Sequence, residues 1–500
     1  MELLYQRIER IAAEQPHRNA LVEAGRSLTY GDMMERVRRL SSALAARGVA
    51  KGDGAIVALP DSLEFVLSHL ALLRLGAVTV PVHSGQPLPD LASQVSRMFP
   101  RAIFTTANVL RSLGDSTSDA LKISVGAAAD GCVLFDELLA AQLDDTTVTE
   151  VNESDVAAVV WTAGVSGPPR PVELTHLNFA HQAHVVGRSL RLRPTDCASG
   201  THAFASIFGL TLELHLPLAH GAAIRLFNAG SKLEHAAALH EHGITLFAGS
   251  PRTYVGWAGT EGTVQPDSGL VRFLICCGGR LESDARSVVL RKSKQTILCG
   301  YGTTETCGLV TLNLFPDDEH PTDEGEPLGD AEIAILDEQG RRLGTGKVGR
   351  IAVRGSSVMR GYWKLPENTK DSLRDNWLMT DDLGELDYQS RLSVHGHPSE
   401  RITKGGFPVY SWEVEEILRR HPGIKEAAVV GVADPAYGEE LKACIVSNNG
   451  TMLAAGEILE YLKTRLPIYK CPRIIKFHKE LPRTSGGKIK RVSLREDRIQ

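Results

Sequence analysis

Six consecutive residues, Gly300-Tyr301-Gly302-Thr303-Thr304-Glu305, gather unusual chemical capacity directly after the apolar run Ile297-Leu298-Cys299. Glycines let a backbone approach a ligand closely, and a tyrosine ring can stack on a base. The two threonine hydroxyls can bond phosphate oxygens, and a glutamate is a hard oxygen ligand for Mg²⁺. A strand ending in this turn would present donors and a metal ligand at one point. On these six residues alone, an ordinary strand-to-loop turn is equally open.

Four other stretches carry comparable side chains. The apolar run Val156 to Trp161 leads into Thr162-Ala163-Gly164-Val165-Ser166-Gly167-Pro168-Pro169-Arg170. Strand, small-residue loop, then basic residue is a phosphate-cradling order: backbone N–H groups surround the anion and a guanidinium adds a forked contact. The G-K-[ST] ending of a Walker loop is absent, and a proline-terminated surface loop is the plainer alternative. Val271 to Cys277 is an apolar run ending in Gly278-Gly279, and glycine-bearing strand ends are where α/β sheets bind ligands, so Gly279 and Tyr301 are expected in one crevice. Trp377 to Gly384 places Asp381 and Asp382 at a strand-to-turn position, which taken alone is common turn chemistry. Leu481-Pro482-Arg483-Thr484-Ser485-Gly486-Gly487-Lys488 sets a lysine on a glycine loop, with a solvated basic tail as the alternative.

The elements that must hold these groups can be read from periodicity. Thr29-Tyr30-Gly31-Asp32 has the form of a capping box opening a helix with apolar positions Met33, Val37, Leu40 and Leu44, stopped by Gly48. A strand from Ala55 to Leu59, a helix through Phe65 and Leu72 stopped by Gly76, and a strand from Ala77 to Val82 follow. Further strands are expected at 224–227 and 244–247 around a helix from Lys232 to Glu241, and a helix beginning at Leu174-Thr175-His176. The alternation predicts helix-covered parallel sheets, an α/β class. From about residue 325 to 398 short strands with Gly and Pro turns suggest a β-rich subdomain. The polar Gly396-His397-Pro398-Ser399-Glu400-Arg401 marks a boundary, giving a large domain 1–398 and a small α+β domain 399–500. In the latter, Ser411 caps a helix, and strands are expected at 427–432 and 443–446 before a helix from Gly456.

With 500 residues, 43% hydrophobic and 23% charged, the chain is an ordinary globular composition with room for more than one domain. A net charge of -5 lacks the basic footprint of a nucleic-acid binder. The eight cysteines include adjacent Cys276 and Cys277 but no C-x-x-C, so reduced and mostly buried thiols are expected. The first ten residues alternate charge with apolar side chains, unlike a signal peptide, and no apolar run would span a bilayer; a cytoplasmic location is the expectation.

Taken together and in order, these segments resemble the adenylate-forming superfamily of acyl-CoA synthetases, adenylation domains of nonribosomal peptide synthetases, and luciferases. The likeness runs nearly end to end and rests on Thr162 to Arg170, Gly300 to Glu305, Gly355 to Tyr362 with Pro366 and Thr369, Trp377 to Gly384, Gly396 to Gly406, and Leu481 to Lys488. It implies a large ATP-binding domain and a small mobile one that rotates between an adenylating and a thioester-forming pose. By the same resemblance Thr304 contacts the α-phosphate, Glu305 holds Mg²⁺, Tyr301 meets the adenine, Asp382 the ribose hydroxyls, and Lys488 the developing carboxylate–phosphate bond. Thr162, Gly164, Ser166, Gly167, Arg170, Gly279, Arg280, Gly302, Thr303 and His397 complete the nucleotide set. Phe204, Ser206, Cys276 and Gly278 would line the acyl pocket, Gly405 and Gly406 would face the pantetheine channel, and Glu400 would be the hinge.

The chain departs from the family pattern at several of these positions. In the phosphate loop Ala163, Val165 and Ser166 stand at three hydroxyl positions, so two hydroxyls are lost, while Arg170 replaces lysine and Pro171 replaces glycine. Arginine and lysine differ in reach and geometry, so weaker or differently oriented ATP binding is expected. His397 stands where the family has an arginine, and Ser206 where a histidine or aromatic is common, which suggests a polar or open acyl pocket. The expected activity is ATP-dependent ligation of a small acid to the thiol of CoA or of a carrier protein's phosphopantetheine. An adenylating enzyme with an amine acceptor or a non-carboxylate substrate is the alternative, and a degenerate binding protein a third.

Overall fold

The computed structural model describes residues 1–114, 119–141, 149–162, 168–227, 237–259, 270–281, 283–293, 295–316, 323–397, 400–448, 453–483 and 489–496. The capping box is present: the Thr29 hydroxyl accepts the Asp32 N–H at 3.1 Å and the Asp32 carboxylate accepts the Thr29 N–H at 3.3 Å. The helix Tyr30–Ala45 that it opens buries Met33, Val37, Leu40 and Leu44. Ser62 caps the helix Leu63–Leu75, which ends on Gly76 in the left-handed region at φ +67, a conformation glycine adopts without steric cost.

Two large sheets carry the chain. One has eight strands, in spatial order Gly361–Tyr362, Pro171–Thr175, Val156–Trp161, Val78–Pro81, Gly54–Val57, Ala102–Thr106, Leu121–Val125 and Val133–Leu134. The other has seven: Ile297–Cys299, Phe273–Cys276, Leu246–Gly249, Cys197–Gly200, Ala223–Arg225, Asn19–Glu23 and Arg26–Thr29. Both are parallel except at one edge each, where Pro171–Thr175 and Arg26–Thr29 run antiparallel to their inner neighbours. Strands such as Val78–Pro81 and Ile297–Cys299 are buried at every position, which is why they appear as uninterrupted apolar runs. One hydrophobic core, with Phe65, Phe104, Phe179 and Leu212 among its members, joins the inner faces.

Several expectations are corrected. Leu174 and Thr175 belong to the strand Pro171–Thr175, because Thr175 is the extended N-cap of the helix His176–Leu190 and makes a capping box with Asn178. Ser411 is the first helical residue of Ser411–Arg419, and the extended residue before it is Tyr410. Of the helix expected from Lys232, Ala237–Glu241 is helical and residues 228–236 lie outside the described residues.

The β-rich segment is a five-stranded antiparallel sheet that includes Glu332–Leu336, Gly349–Arg354, Trp377–Leu386 and Leu392–Gly396. From Arg401 onward a second five-stranded sheet is covered by the helices Ser411–Arg419 and Ala455–Lys463 over a core of its own, with Val414, Leu418, Leu441 and Ile458. Six of the eight cysteines are buried. Among the described residues no helix is long and apolar enough to cross a membrane.

Candidate active site

The crevice begins where two strands of the seven-stranded sheet end. Gly300 N–H donates to the Cys276 carbonyl at 3.0 Å, which stitches the Gly278 turn to the Tyr301 turn. Gly302–Thr303 then pairs antiparallel with Gly308–Leu309. A Cβ on Gly302 would sit 1.9 Å from the Gly308 carbonyl oxygen, so glycine is required there by close backbone approach. Thr304–Thr306 form a single tight turn that carries Glu305.

Two side-chain groups converge on this turn. The Tyr301 hydroxyl donates to Asp382 Oδ2 at 2.8 Å, bringing together residues 81 positions apart. Asp382 is held in turn by its N–H, which donates to Thr380 Oγ1 at 3.2 Å. The second group is Glu305, whose Oε1 accepts the Tyr362 hydroxyl at 2.9 Å. The Arg170 guanidinium lies over the Tyr362 ring, 5.5 Å from its centre. Arg170 is fixed by two bonds across the loop base, Thr162 N–H to its carbonyl at 2.9 Å and its own N–H to Thr162 Oγ1 at 2.9 Å. Gly164, Ser166 and Gly167 inside that loop, and Lys488, lie outside the described residues.

Burial pushes the Glu305 carboxyl above the usual carboxylate range, against the pull of hydrogen bonds from its own backbone, Tyr362 and Thr303. A desolvated carboxylate is stabilised when a cation binds it. With Asp382 nearby, the donors here are oxygens, which suits Mg²⁺ and not a soft metal. The residues present therefore fit the ion that the family resemblance implies, and Glu305 is the carboxylate that would hold it.

The expected acyl-pocket residues divide. Gly278, at φ +82, faces Phe208, whose ring would lie 3.6 Å from a Cβ placed there. Phe204 is buried in the core against Phe65, with ring centres 5.4 Å apart, and so is a packing residue. The Ser206 hydroxyl donates to the Ala203 carbonyl at 2.8 Å and accepts the Gly209 N–H at 3.3 Å, so it serves the backbone of the adjoining turn. Cys276 packs in a separate cluster with Cys299 and Tyr254, while its neighbour Cys277 faces the main core beside Phe208.

Four side chains escaped the sequence reading. His202 and Glu213 are joined at 2.8 Å, and the Cys277 sulfur lies 3.8 Å from His202 Nε2. Asp61 accepts the Phe204 N–H at 2.8 Å. Tyr362 lay within a recognised segment but had been given no role; its spacing from Glu305 carries no local signal.

The remaining expected residues are dispersed. Arg280 stacks on the Trp412 ring at 4.6 Å, and that ring is stacked on His395 with centres 5.4 Å apart. His397 accepts the Glu400 N–H through its carbonyl at 2.7 Å. Glu400 Oε1 accepts from Arg491 Nε at 3.0 Å, and the same guanidinium binds Glu415. Gly405 and Gly406, at φ +58 and +84, make the exposed turn between the strands Arg401–Lys404 and Phe407–Tyr410.

Two helix-covered sheets with a tyrosine–carboxylate pair and a loop-borne cation at their strand ends, followed by a β-sheet segment and a small α+β unit, define a nucleotide-handling enzyme architecture. The chain belongs to the AMP-binding enzyme family, whose model matches residues 8–363, and the model of the AMP-binding enzyme C-terminal domain matches residues 413–488. It is 30% identical over 504 aligned residues to a feruloyl-CoA synthase of an Amycolatopsis species, covering 97% of each chain. It is 27% identical to a long-chain-fatty-acid–CoA ligase of Bacillus subtilis strain 168, covering 98% of this chain and 93% of the relative. Among solved structures, ATP-bound MatB from Rhodopseudomonas palustris superposes with a TM-score of 0.91 at 25% identity, over 99% of this chain and 98% of that one.

Proposed function

We propose that this protein activates a small carboxylic acid with ATP, releasing pyrophosphate and forming the acyl-adenylate, and then transfers the acyl group to the thiol of CoA. The observation that carries this reading is the convergence of Tyr301 with Asp382, and of Glu305 with Tyr362 and Arg170, on a single six-residue turn. Tyr301 supplies a ring for the adenine, and Asp382 a carboxylate for the ribose hydroxyls. Attack of a carboxylate on the α-phosphorus brings two anions together, so positive charge must be placed where the new charge develops. Arg170 provides one such charge from the loop base, and Thr304 offers a hydroxyl to the α-phosphate. Mg²⁺ bound at Glu305 supplies further neutralisation of phosphate oxygens. Lys488 completes the set from the C-terminal loop.

In this reading the chain divides at 398/399, with Glu400 at the hinge. His397 approaches the nucleotide from the end of the β-rich segment, and the Gly405-Gly406 turn approaches the thiol channel after rotation of the small domain. The CoA-ligase relatives and the ATP-bound neighbour support the reading, and a carrier protein's phosphopantetheine presents the same thiol chemistry. The test is acid-dependent exchange of pyrophosphate into ATP, followed by thioester formation on adding CoA, with Glu305→Ala as control. Exchange no greater than in the control would remove adenylation. AMP release without thiol consumption would remove the transfer step.

A further inference from the structure

His202 stands between the strand Cys197–Gly200 and the π-helical segment Gly209–His215 that carries Glu213. Glu213 Oε1 takes two bonds from this one residue, from the backbone N–H at 2.9 Å and from ring Nδ1 at 2.8 Å. Room for the carboxyl is made by Gly200, where a Cβ would fall 2.1 Å from Glu213. The other ring nitrogen, Nε2, faces Cys277 Sγ at 3.8 Å, and the ring centre lies 5.8 Å from that of Phe208, beside the Gly278 turn. The His202 side chain keeps 11% of its surface exposed, against 5% for Glu213. The imidazole is therefore the more accessible of the two groups and the carboxylate the more deeply buried.

Desolvating an imidazole and a carboxylate is costly, and an apolar pair of the same volume would be no less stable. What the pair provides is a directed donor. Burial alone would lower the His202 pKa, but the Cys277 sulfur and Glu213 outweigh it and hold it well above the ordinary histidine value. With Nδ1 engaged by Glu213, Nε2 carries a hydrogen when the ring is protonated or when the carboxyl holds the shared proton. Its partner in the structure is the Cys277 sulfur at 3.8 Å, longer than a strong hydrogen bond. A second carboxyl, Asp61, accepts the Phe204 N–H, and burial together with Glu213 raises its pKa to about 7, so an additional anion beside these two groups is disfavoured.

We propose that His202, fixed by Glu213, is a specificity-determining residue whose Nε2–H hydrogen-bonds a neutral acceptor, a hydroxyl, ether or carbonyl oxygen, on the acyl part of the acid. The preferred substrates are then oxygen-bearing acids and not plain hydrocarbon or dicarboxylic ones. This rests on the ligase reading above and adds the substrate class to it. A site built to bond an oxygen rejects the analogue that lacks it strongly, because its own polar group is then left buried and unpaired.

The test is pyrophosphate exchange with matched acids: straight-chain acids against their hydroxy and oxo derivatives, and phenyl-substituted acids against their hydroxy and methoxy derivatives. The wild-type protein is expected to favour the oxygen-bearing member of at least one pair by about tenfold or more in kcat/KM. The double variant His202→Leu/Glu213→Leu, which leaves no orphaned charge, is expected to lose most of that preference with KM for ATP unchanged. Glu213→Gln is a milder companion should the double variant fold poorly. Its amide oxygen would still accept the His202 N–H and Nδ1–H, leaving Nε2 without hydrogen, so methoxy and oxo acids lose their advantage while hydroxy acids retain it. Exchange without preference in the wild type, a preference that survives in the double variant, or a methoxy or oxo preference that survives in Glu213→Gln, overturns this inference and leaves the ligase reading standing. Absence of exchange with every acid overturns both.

Discussion

Replacing Tyr362 with phenylalanine deletes one oxygen and leaves the ring under Arg170 in place. That oxygen donates to Glu305 at 2.9 Å, and a hydrogen bond to a charged group is worth about 1.5–3 kcal/mol. Glu305 is already raised above the ordinary carboxylate range by burial, and the Tyr362 hydroxyl is among the donors that oppose the rise. Without it the ionised form, the one proposed to hold Mg²⁺, is disfavoured further. At about 1.36 kcal/mol per pH unit, the acidic limb of the pH–activity profile should move upward by about 1–2 units. The KM for ATP with Mg²⁺, measured by acid-dependent pyrophosphate exchange at the low-pH end, should rise by about 10- to 150-fold, and the deficit should shrink as pH rises above the shifted limb. An acidic limb that stays in place would show that Tyr362 does not tune Glu305. A loss of equal size at every pH would mean that the hydroxyl acts through geometry and not through ionisation.

Asp61 gives a stability prediction of the opposite kind. Its folded pKa is raised from 3.8 to about 7, so its contribution is fully present below pH 4 and is lost as pH rises through about 7, a cost of about 4 kcal/mol if it must ionise in place. Asp61→Asn keeps an oxygen for the Phe204 N–H, so urea melts should show a gain of about 2–4 kcal/mol at pH 8 and little at pH 4; equal gains at both would refute the linkage. Gly302→Ala places a methyl against the Gly308 carbonyl and should abolish exchange while global melting changes little, since the hairpin it breaks is only two residues a side. Normal KM for ATP in this variant would remove the turn from the nucleotide site. Lys488→Ala should eliminate adenylate formation but spare thiol transfer from a chemically supplied acyl-adenylate, because a group absent from the second transition state cannot stabilise it. Equal loss of both half-reactions would refute the division of labour between poses.

Local signals were legible wherever one short stretch determines its own geometry. The Thr29–Asp32 capping box, the stop at Gly76 and the buried run Val156–Trp161 each follow from neighbouring residues alone. The pairing of Tyr301 with Asp382 was available only through resemblance, because nothing in sequence spacing brings residues 81 positions apart into contact. The segment Leu210-Thr211-Leu212-Glu213-Leu214-His215 shows why other features were hidden. Its strict alternation is the pattern of a half-buried strand, yet it is π-helical and wholly buried. Glu213 is thereby turned inward, where a two-residue period would have placed it facing solvent. Which of the neighbours Cys276 and Cys277 looks into the crevice is hidden for a related reason: it is set by the strands and helices around them.

Trp412 lies between Arg280 at 4.6 Å and the His395 ring at 5.4 Å, and it is the second residue of the helix Ser411–Arg419 that covers the C-terminal sheet. A cation over an aromatic face contributes about 0.5–2 kcal/mol depending on how dry the contact is. On a Boltzmann scale that is about a twofold to thirtyfold bias toward the docked arrangement. Such a bias is strong enough to make one orientation the resting one and weak enough for thermal agitation to undo it many times within a turnover. If the small domain rotates as proposed, the tryptophan acts as a magnetic catch on a door: it sets how often this docked arrangement is occupied without adding a barrier that the reaction would have to break.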